Sequence, residues 1–348
     1  MNMYSAAIVA VIISFAVTAA LGIVIIPWLK KLHFGQTILE IGPSWHKGKQ
    51  GTPNMGGFMF IIGSIVSIIV TVLIYIMTSD NTLQAFRTVN PSSDYTLLIS
   101  GVFLALGNAL VGFFDDFTKV SKKRNKGLSA LQKTVFQVLL AIAFLLSLYL
   151  SGNTWWYIPF VGTIDAATVA FGLPYWVLGT FIIYGCVNAV NLTDGIDGLC
   201  SSVTSSVAIA FLVIAFIQKF AGLSIFTAAL LGGCLGFLVW NWNPAKTFMG
   251  DTGSLFLGGM VVAMGFAVKC PLILLPIGII YVCEAMSDII QIGYFKITHG
   301  KRVFKMAPIH HHFEMCGWKE KKICVIFTLV SFIGGIIGVL LMYFGKAF

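Results

Sequence analysis

The feature that most constrains this chain is a series of ten apolar stretches, each near or above the length that crosses a bilayer. A helix spanning a hydrocarbon core of ~30 Å needs about 20 mostly apolar residues. The stretches fall at residues 5–29, 57–78, 96–114, 134–151, 173–192, 201–218, 223–240, 254–268, 271–296 and 323–344; the eighth is short and the ninth long. A transmembrane barrel would show alternating segments of ~10 residues instead. The sequence has none. The expected fold class is all-α: a polytopic membrane protein of about ten transmembrane helices, with residues 1–348 forming one integral membrane domain.

Composition agrees. Charged residues make up 10% of the chain, against roughly 25% in a soluble protein whose surface faces water. That excludes a soluble multidomain enzyme, a disordered chain and a disulfide-rich scaffold. The first stretch has no basic residue before Lys30 and is too long for the core of a signal peptide, so it reads as the first span. The seven cysteines are odd in number and form no CxxC pair, which points to free thiols.

The net charge of +9 is explained by its distribution rather than by nucleic acid. Eighteen of the 22 Lys and Arg lie in or beside the loops after the odd-numbered spans, and four lie on the opposite side. With the acidic residues included, the two sides carry +8 and +1. Positive charge is retained on the cytoplasmic side, so both termini are expected on the outer side and the odd-numbered loops inside. The 152–172 loop, with Trp155, Trp156 and Tyr157, reads as an outer interfacial aromatic belt containing a short extended or turn segment.

The unusual polar residues collect on the inner side, in five clusters. Gly51-Thr52-Pro53-Asn54-Met55-Gly56-Gly57, preceded by His46, Lys47 and Lys49, reads either as a turn entering the second span or as a loop whose backbone N–H groups cradle a phosphate. Asp115 and Asp116 end the third span. Adjacent acids at a helix C-terminus oppose the macrodipole and repel each other, which a divalent cation or a proton-transfer role would offset. They stand ~100° apart on a helix, so only one of the pair is expected to face the site. Lys119, Lys122, Lys123, Arg124, Lys126 and Lys133 follow; Lys119 and Lys133, at the ends of this basic segment, are placed to reach a phosphate.

The third cluster, Asn188, Asn191, Asp194 and Asp197, repeats polar groups every three residues at the inner end of the fifth span. Carboxamides and carboxylates so placed can read a nucleotide base or hold hydrated Mg2+. In the fourth, Asn241, Phe248 and Asp251 lie in a glycine-flanked loop before the eighth span. Asp251 reads as a helix cap or as a Mg2+ ligand, since Mg2+ needs few protein carboxylates and shares its other positions with water and phosphates. The last is Pro308-Ile309-His310-His311-His312. Three consecutive histidines point in three directions and cannot build one tetrahedral zinc site. The triplet reads either as a surface-exposed run or, with the rigid proline before it, as a held loop that presents one or two imidazoles to a phosphate. Glu284, Asp288 and Gln291 lie inside the ninth span, where ionisable groups are functional candidates; pairing with a base and lining the site both remain open. A cation, lysines and proton-accepting carboxylates together are the equipment of phosphoryl transfer.

These motifs carry a resemblance. Asp115-Asp116, the stretch from Asn188 to Leu199, and Phe248-Met249-Gly250-Asp251-Thr252-Gly253 resemble the polyprenyl-phosphate N-acetylhexosamine-1-phosphate transferases. The segment from Ala307 to Glu314, followed by Gly317-Trp318, resembles their muramoyl branch, the phospho-N-acetylmuramoyl-pentapeptide transferases. One departure is Asn54, where the family loop commonly reads Thr. The resemblance implies ten helices, a homodimer, a bacterial plasma membrane location and a cytoplasmic site that joins UDP-N-acetylmuramoyl-pentapeptide to undecaprenyl phosphate, giving lipid I and UMP. It implies Mg2+ on Asp251, and catalytic roles for Asp115, Asp116, Asp194, Asp197 and His311. Substrate contacts are implied for Lys49, Thr52, Lys119, Lys133, Asn188, Asn191, Asn241, Phe248, Gln291, His310 and His312, with Phe248 stacking on uracil. It also implies a bent ninth helix that offers a groove to the polyprenyl tail. Two rival readings are a transferase of N-acetylglucosamine-1-phosphate to the same lipid, and a secondary transporter. A transporter's sites belong near the bilayer midplane, whereas these residues lie at inner helix ends.

Overall fold

The computed structural model describes residues 1–32, 49–78, 91–121 and 127–345, the side chains of 91–94 excepted. His46, Lys47, Lys122, Lys123, Arg124 and Lys126 lie outside the described residues. The chain is mostly helical, and among the described residues nine helices are long and apolar enough to cross a membrane, or ten if one bent pair is counted as a span. These contain α1 (Met3–Lys31), α2 (Phe58–Thr78), α3 (Pro91–Ser121), α4 (Ala130–Leu150), α5 (Gly179–Leu192, the end of a span that begins at Val169), α6 (Leu199–Ile217), α7 (Ala221–Asn241), α8 (Gly250–Ala267) and α12 (Glu320–Phe344); α9 (Leu274–Ile277), within Pro271–Ile277, and α10 (Ile279–Ile297) belong to the bent pair. The loop after α4 holds an antiparallel hairpin, β1 (Trp155–Ile158) and β2 (Gly162–Asp165), with Trp155 opposite Asp165 and Ile158 opposite Gly162. The expected extended segment is thus a small sheet within an otherwise helical chain.

Local signals set several ends. Ser129 accepts from the Gln132 amide while the Gln132 side chain returns to the Ser129 N–H, a capping box that starts α4. Asn2 caps α1 through the Ser5 amide. The third span runs to Ser121, well beyond the expected end at 114, so Asp115 and Asp116 lie inside α3 rather than at its C-terminus. The eighth begins at Gly250, which puts Asp251 in its first turn and not at its cap, Met249. The ninth breaks at Gly278, where the Pro271–Ile277 segment and Ile279–Ile297 meet at 86°. Pro276 lies in the last turn before the break, where its ring and missing N–H interrupt the helical ladder.

Burial orders the helices. α8 is the centre, with 89% of its membrane window buried, whereas α1 has 22% and shows Ile23, Val24 and Trp28 to the lipid. Helices in a bilayer gain little from hydrophobic expulsion and associate through close packing, which small residues permit. A Cβ on Gly259 would meet the Ala105 backbone at 2.5 Å, and one on Gly112 would overlap the Asp251 carbonyl. These two contacts seat α8 against α3 and bring Asp251 beside Asp115 and Asp116.

Gly112→Val should therefore lower the melting temperature of the detergent-extracted protein. Gly185→Ala, whose added methyl meets nothing within 4 Å, should change stability by no more than about 1 kcal/mol and in the favourable direction. Equal stability of the Val variant and the parent would refute the close α3–α8 seat.

Candidate active site

Alternating helices present opposite ends to the same level, so the C-terminal ends of α3 and α5 meet the N-terminal ends of α4 and α8. There Asp115, Asp116 and Asp251 each offer a carboxylate oxygen, all within 4.8 Å of one another. At an effective dielectric of about 20, two unit charges ~5 Å apart repel by roughly 3 kcal/mol, so the group requires cations. Lys119 Nζ stands 2.6 Å from Asp115 Oδ2, 3.1 Å from Asp251 Oδ2 and 3.8 Å from Asp116 Oδ1. Lys133 Nζ stands 3.0 Å from Asp115 Oδ2 and 2.8 Å from Asp251 Oδ2.

The remaining valences have distinct partners. Asp115 Oδ1 accepts from the Leu128 amide at 2.8 Å. Asp116 Oδ2 accepts from the Thr252 amide and hydroxyl, at 2.9 and 2.8 Å, and Oδ1 accepts from Asn54 Nδ2 at 3.3 Å. Asn191 Nδ2 donates to Asp251 Oδ1 and to Ser254 Oγ. Both members of the adjacent pair are buried and both join the group, contrary to the expectation that one would face away. Asp115 reaches the α4 lysine while Asp116 turns to Thr252 at the start of α8.

A second network is centred on Asp197. Its Oδ1 receives Lys49 Nζ at 2.7 Å, and its Oδ2 accepts from Asn243 Nδ2 and the Ala245 amide. Glu320 Oε2 receives the same Lys49 and Asn243. Asp194, between the networks, is partly open at its surface, yet burial pushes its carboxyl well above the ordinary carboxylate range. The negative charges of Asp251, Asp116 and Asp197 push the same way.

The histidines start a short helix, α11 (Ile309–Met315), after Pro308, where a held loop was expected. They do point three ways. His310 Nδ1 lies 2.9 Å from Glu284 Oε2, His311 Nδ1 lies 2.6 Å from Glu314 Oε2, and His312 Nδ1 accepts from the Lys305 amide. A Cβ on Gly195 would overlap His310 Nε2, so α11 abuts the loop that carries Asp194.

The structure thus gathers Asp115, Asp116, Lys119, Lys133, Asn191 and Asp251 in one cluster, with Lys49 and Asp197 in the adjoining network. The other expected contact residues hydrogen-bond within the protein. Asn188 donates to Gln137 and to the Tyr184 carbonyl on the side of α4. Asn241 bridges the Gly198 amide and the Thr247 carbonyl. Gln291 clamps Val303 and Phe304. Thr52 and Phe248 make backbone bonds to Lys49 and Pro53. Asn54, Thr252, Asn243 and Glu320 were not anticipated as partners; the one available signal was Glu320, the lone acid among Lys319, Lys321 and Lys322.

Fold and site together define a membrane-embedded glycosyl transferase: residues 98–269 match Glycosyl transferase family 4. Over 329 residues, 94% of this chain and 95% of the relative, the sequence is 44% identical to the phospho-N-acetylmuramoyl-pentapeptide-transferase of Bacillus mycoides (strain KBAB4). The transferases of that name from Bacillus thuringiensis (strain Al Hakam) and Bacillus cereus (strain AH187) match at the same identity and coverage. The chain belongs to the phospho-N-acetylmuramoyl-pentapeptide-transferase family.

Charge balance gives a test. Lys133→Met leaves three acids to one lysine, and should lower the melting temperature. Adding Asp251→Asn restores the parent's charge difference and should recover part of that loss. Losses that simply add would refute the charge-balance account.

Proposed function

We propose that this protein transfers phospho-N-acetylmuramoyl-pentapeptide from its UDP-linked donor to undecaprenyl phosphate at the cytoplasmic face of a bacterial plasma membrane, giving lipid I and UMP. The observation that carries this is the convergence of Asp115, Asp116 and Asp251 with two lysines at one end of a membrane bundle, in a chain of this family. The asymmetry of Lys and Arg supports an orientation with this end inside and both termini outside. The family resemblance extends the proposal to one membrane domain over 1–348 that acts as a homodimer.

The acid group suits Mg2+. It offers hard oxygen donors, and Asp115 Oδ2 is buried against two ammonium groups without an aligned hydrogen bond. Asp251 would hold the ion, with Asp115 and Asp116 beside it. When bound, Mg2+ supplies neutralisation of the phosphate charge. The chain's own groups do the rest. Lys119 and Lys133 turn from the carboxylates to the phosphates, where they steady the charge that develops in transfer. The lipid phosphate oxygen forms the new bond to the donor's β-phosphorus, and the bond from that phosphorus to UMP breaks. Asp194, raised by its surroundings, accepts the proton of any monoprotonated lipid phosphate. Lys49, Asp197 and Phe248 line the nucleotide side. The exposed apolar face of α10, with Ile289, Ile292 and Phe295, follows the 86° break and offers the polyprenyl tail a path.

The deciding experiment is UMP release from UDP-N-acetylmuramoyl-pentapeptide and from UDP-N-acetylglucosamine, each with and without Mg2+. Release from the muramoyl donor alone, dependent on Mg2+, is expected; release only from the glucosamine donor would overturn the substrate assignment. Asp251→Ala should abolish release while the protein folds, and near-normal turnover would remove Asp251 from the site.

The pH dependence follows from the sign of the Asp194 shift. A raised carboxyl is protonated at low pH and gains its proton-accepting form only as pH rises, so turnover should climb through an acidic limb displaced above the usual carboxylate range. Asp194→Asn should lower turnover and flatten that limb. An unchanged limb in this variant would assign the titration elsewhere.

A further inference from the structure

We propose that Glu284, an acid inside the membrane-spanning part of α10, is a positioning residue that sets the orientation of His310 for transfer; this rests on the transferase reading above. Glu284 is fully buried, with apolar neighbours before and after it in sequence. Acids in such places are kept for function. Its Oε2 lies 2.9 Å from His310 Nδ1 and 3.5 Å from the His310 amide, so one oxygen engages both the ring and the start of α11.

The two nitrogens of an imidazole lie on different edges of the ring. A carboxylate on Nδ1 therefore directs Nε2 away from α10. Nε2 is buried, has no hydrogen-bond partner among the described residues, and lies against Gly195, next to Asp194. Glu284 Oε1 is likewise buried and unpartnered. Two unsatisfied atoms in one buried pair are unusual for a contact that merely ties two helices, because a structural tie gains by satisfying them. The arrangement is that of a carboxylate fixing one nitrogen so that the other faces a ligand. The His311 ring, centred 4.1 Å away, is itself held by Glu314, which braces His310 from the side. Only Gly at 195 leaves room for Nε2, so the presented nitrogen faces the loop that would border the donor's phosphates.

The test is UMP release at varied donor concentration by the parent, Glu284→Ala, Glu284→Gln, His310→Ala and the Glu284→Ala/His310→Ala double variant, with melting temperatures for each. Glu284→Ala should lower kcat/KM by about 10- to 100-fold with little change in melting temperature. The double variant should be no worse than His310→Ala, because the acid acts through the ring. Glu284→Gln keeps the shape and an oxygen that accepts from Nδ1, and should retain intermediate activity; it carries the test, paired with His310→Ala, if the Ala variant does not fold. Losses that multiply in the double variant, full turnover by Glu284→Ala, or full turnover by His310→Ala would each overturn the proposal. A parent that releases no UMP would overturn the transferase reading itself, a result distinct from any pattern among the variants.

Discussion

Three carboxylates brought within a few ångströms of each other at the end of a lipid-embedded bundle is the interaction on which the rest depends. Such a group is unstable alone. It persists because Lys119 and Lys133 lie across it and because Thr252, Leu128, Asn54 and Asn191 satisfy the remaining oxygens. Each partner comes from a different segment, so the site is a property of the packed bundle and not of any one motif. In the proposed reaction the same lysines that balance the resting acids engage the phosphates, which would tie stability to chemistry in one set of charges.

Close packing makes that possible. α8 lies at the centre of the described structure, and glycines at 112 and 259 let the backbones of α3 and α8 touch. Without that approach, Asp251 would stand a side chain's width from Asp115. The second network, around Asp197, joins the loops before α6 and after α7 to the start of α12 through Lys49, Asn243 and Glu320.

Much of this was legible in the sequence, for identifiable reasons. Spans are set by length and hydropathy, so their number and approximate positions followed from the apolar runs. The acids were visible because charge is rare in this chain and collects beside those runs. Ends were harder: α3 continues past Asp116 because Lys119 compensates the acids within the helix, a balance that an apolar count does not register. The expectation that Asp115 and Asp116 would diverge failed because it treated α3 as isolated, whereas Lys133 of α4 engages Asp115 and Thr252 in the first turn of α8 engages Asp116. Asn188, Asn241 and Gln291 have the side chains of ligand-binding residues, but in the structure their amides close loops and helix contacts. Composition cannot separate those two uses. Glu320 and Asn243 escaped notice because their role depends on partners at positions 49 and 197, far away along the chain.

The spacing of Asp115 and Lys119, one helical turn apart and in contact, also bears on how the protein is made. A nascent third helix with two uncompensated acids would be a poor client for lateral release into lipid. Lys119 travels on the same segment, so the helix carries its own counter-ion during insertion, five spans before Asp251 emerges. Asp251 is thus the last of the three acids to be synthesised, and the cluster closes only once α8 has joined the bundle.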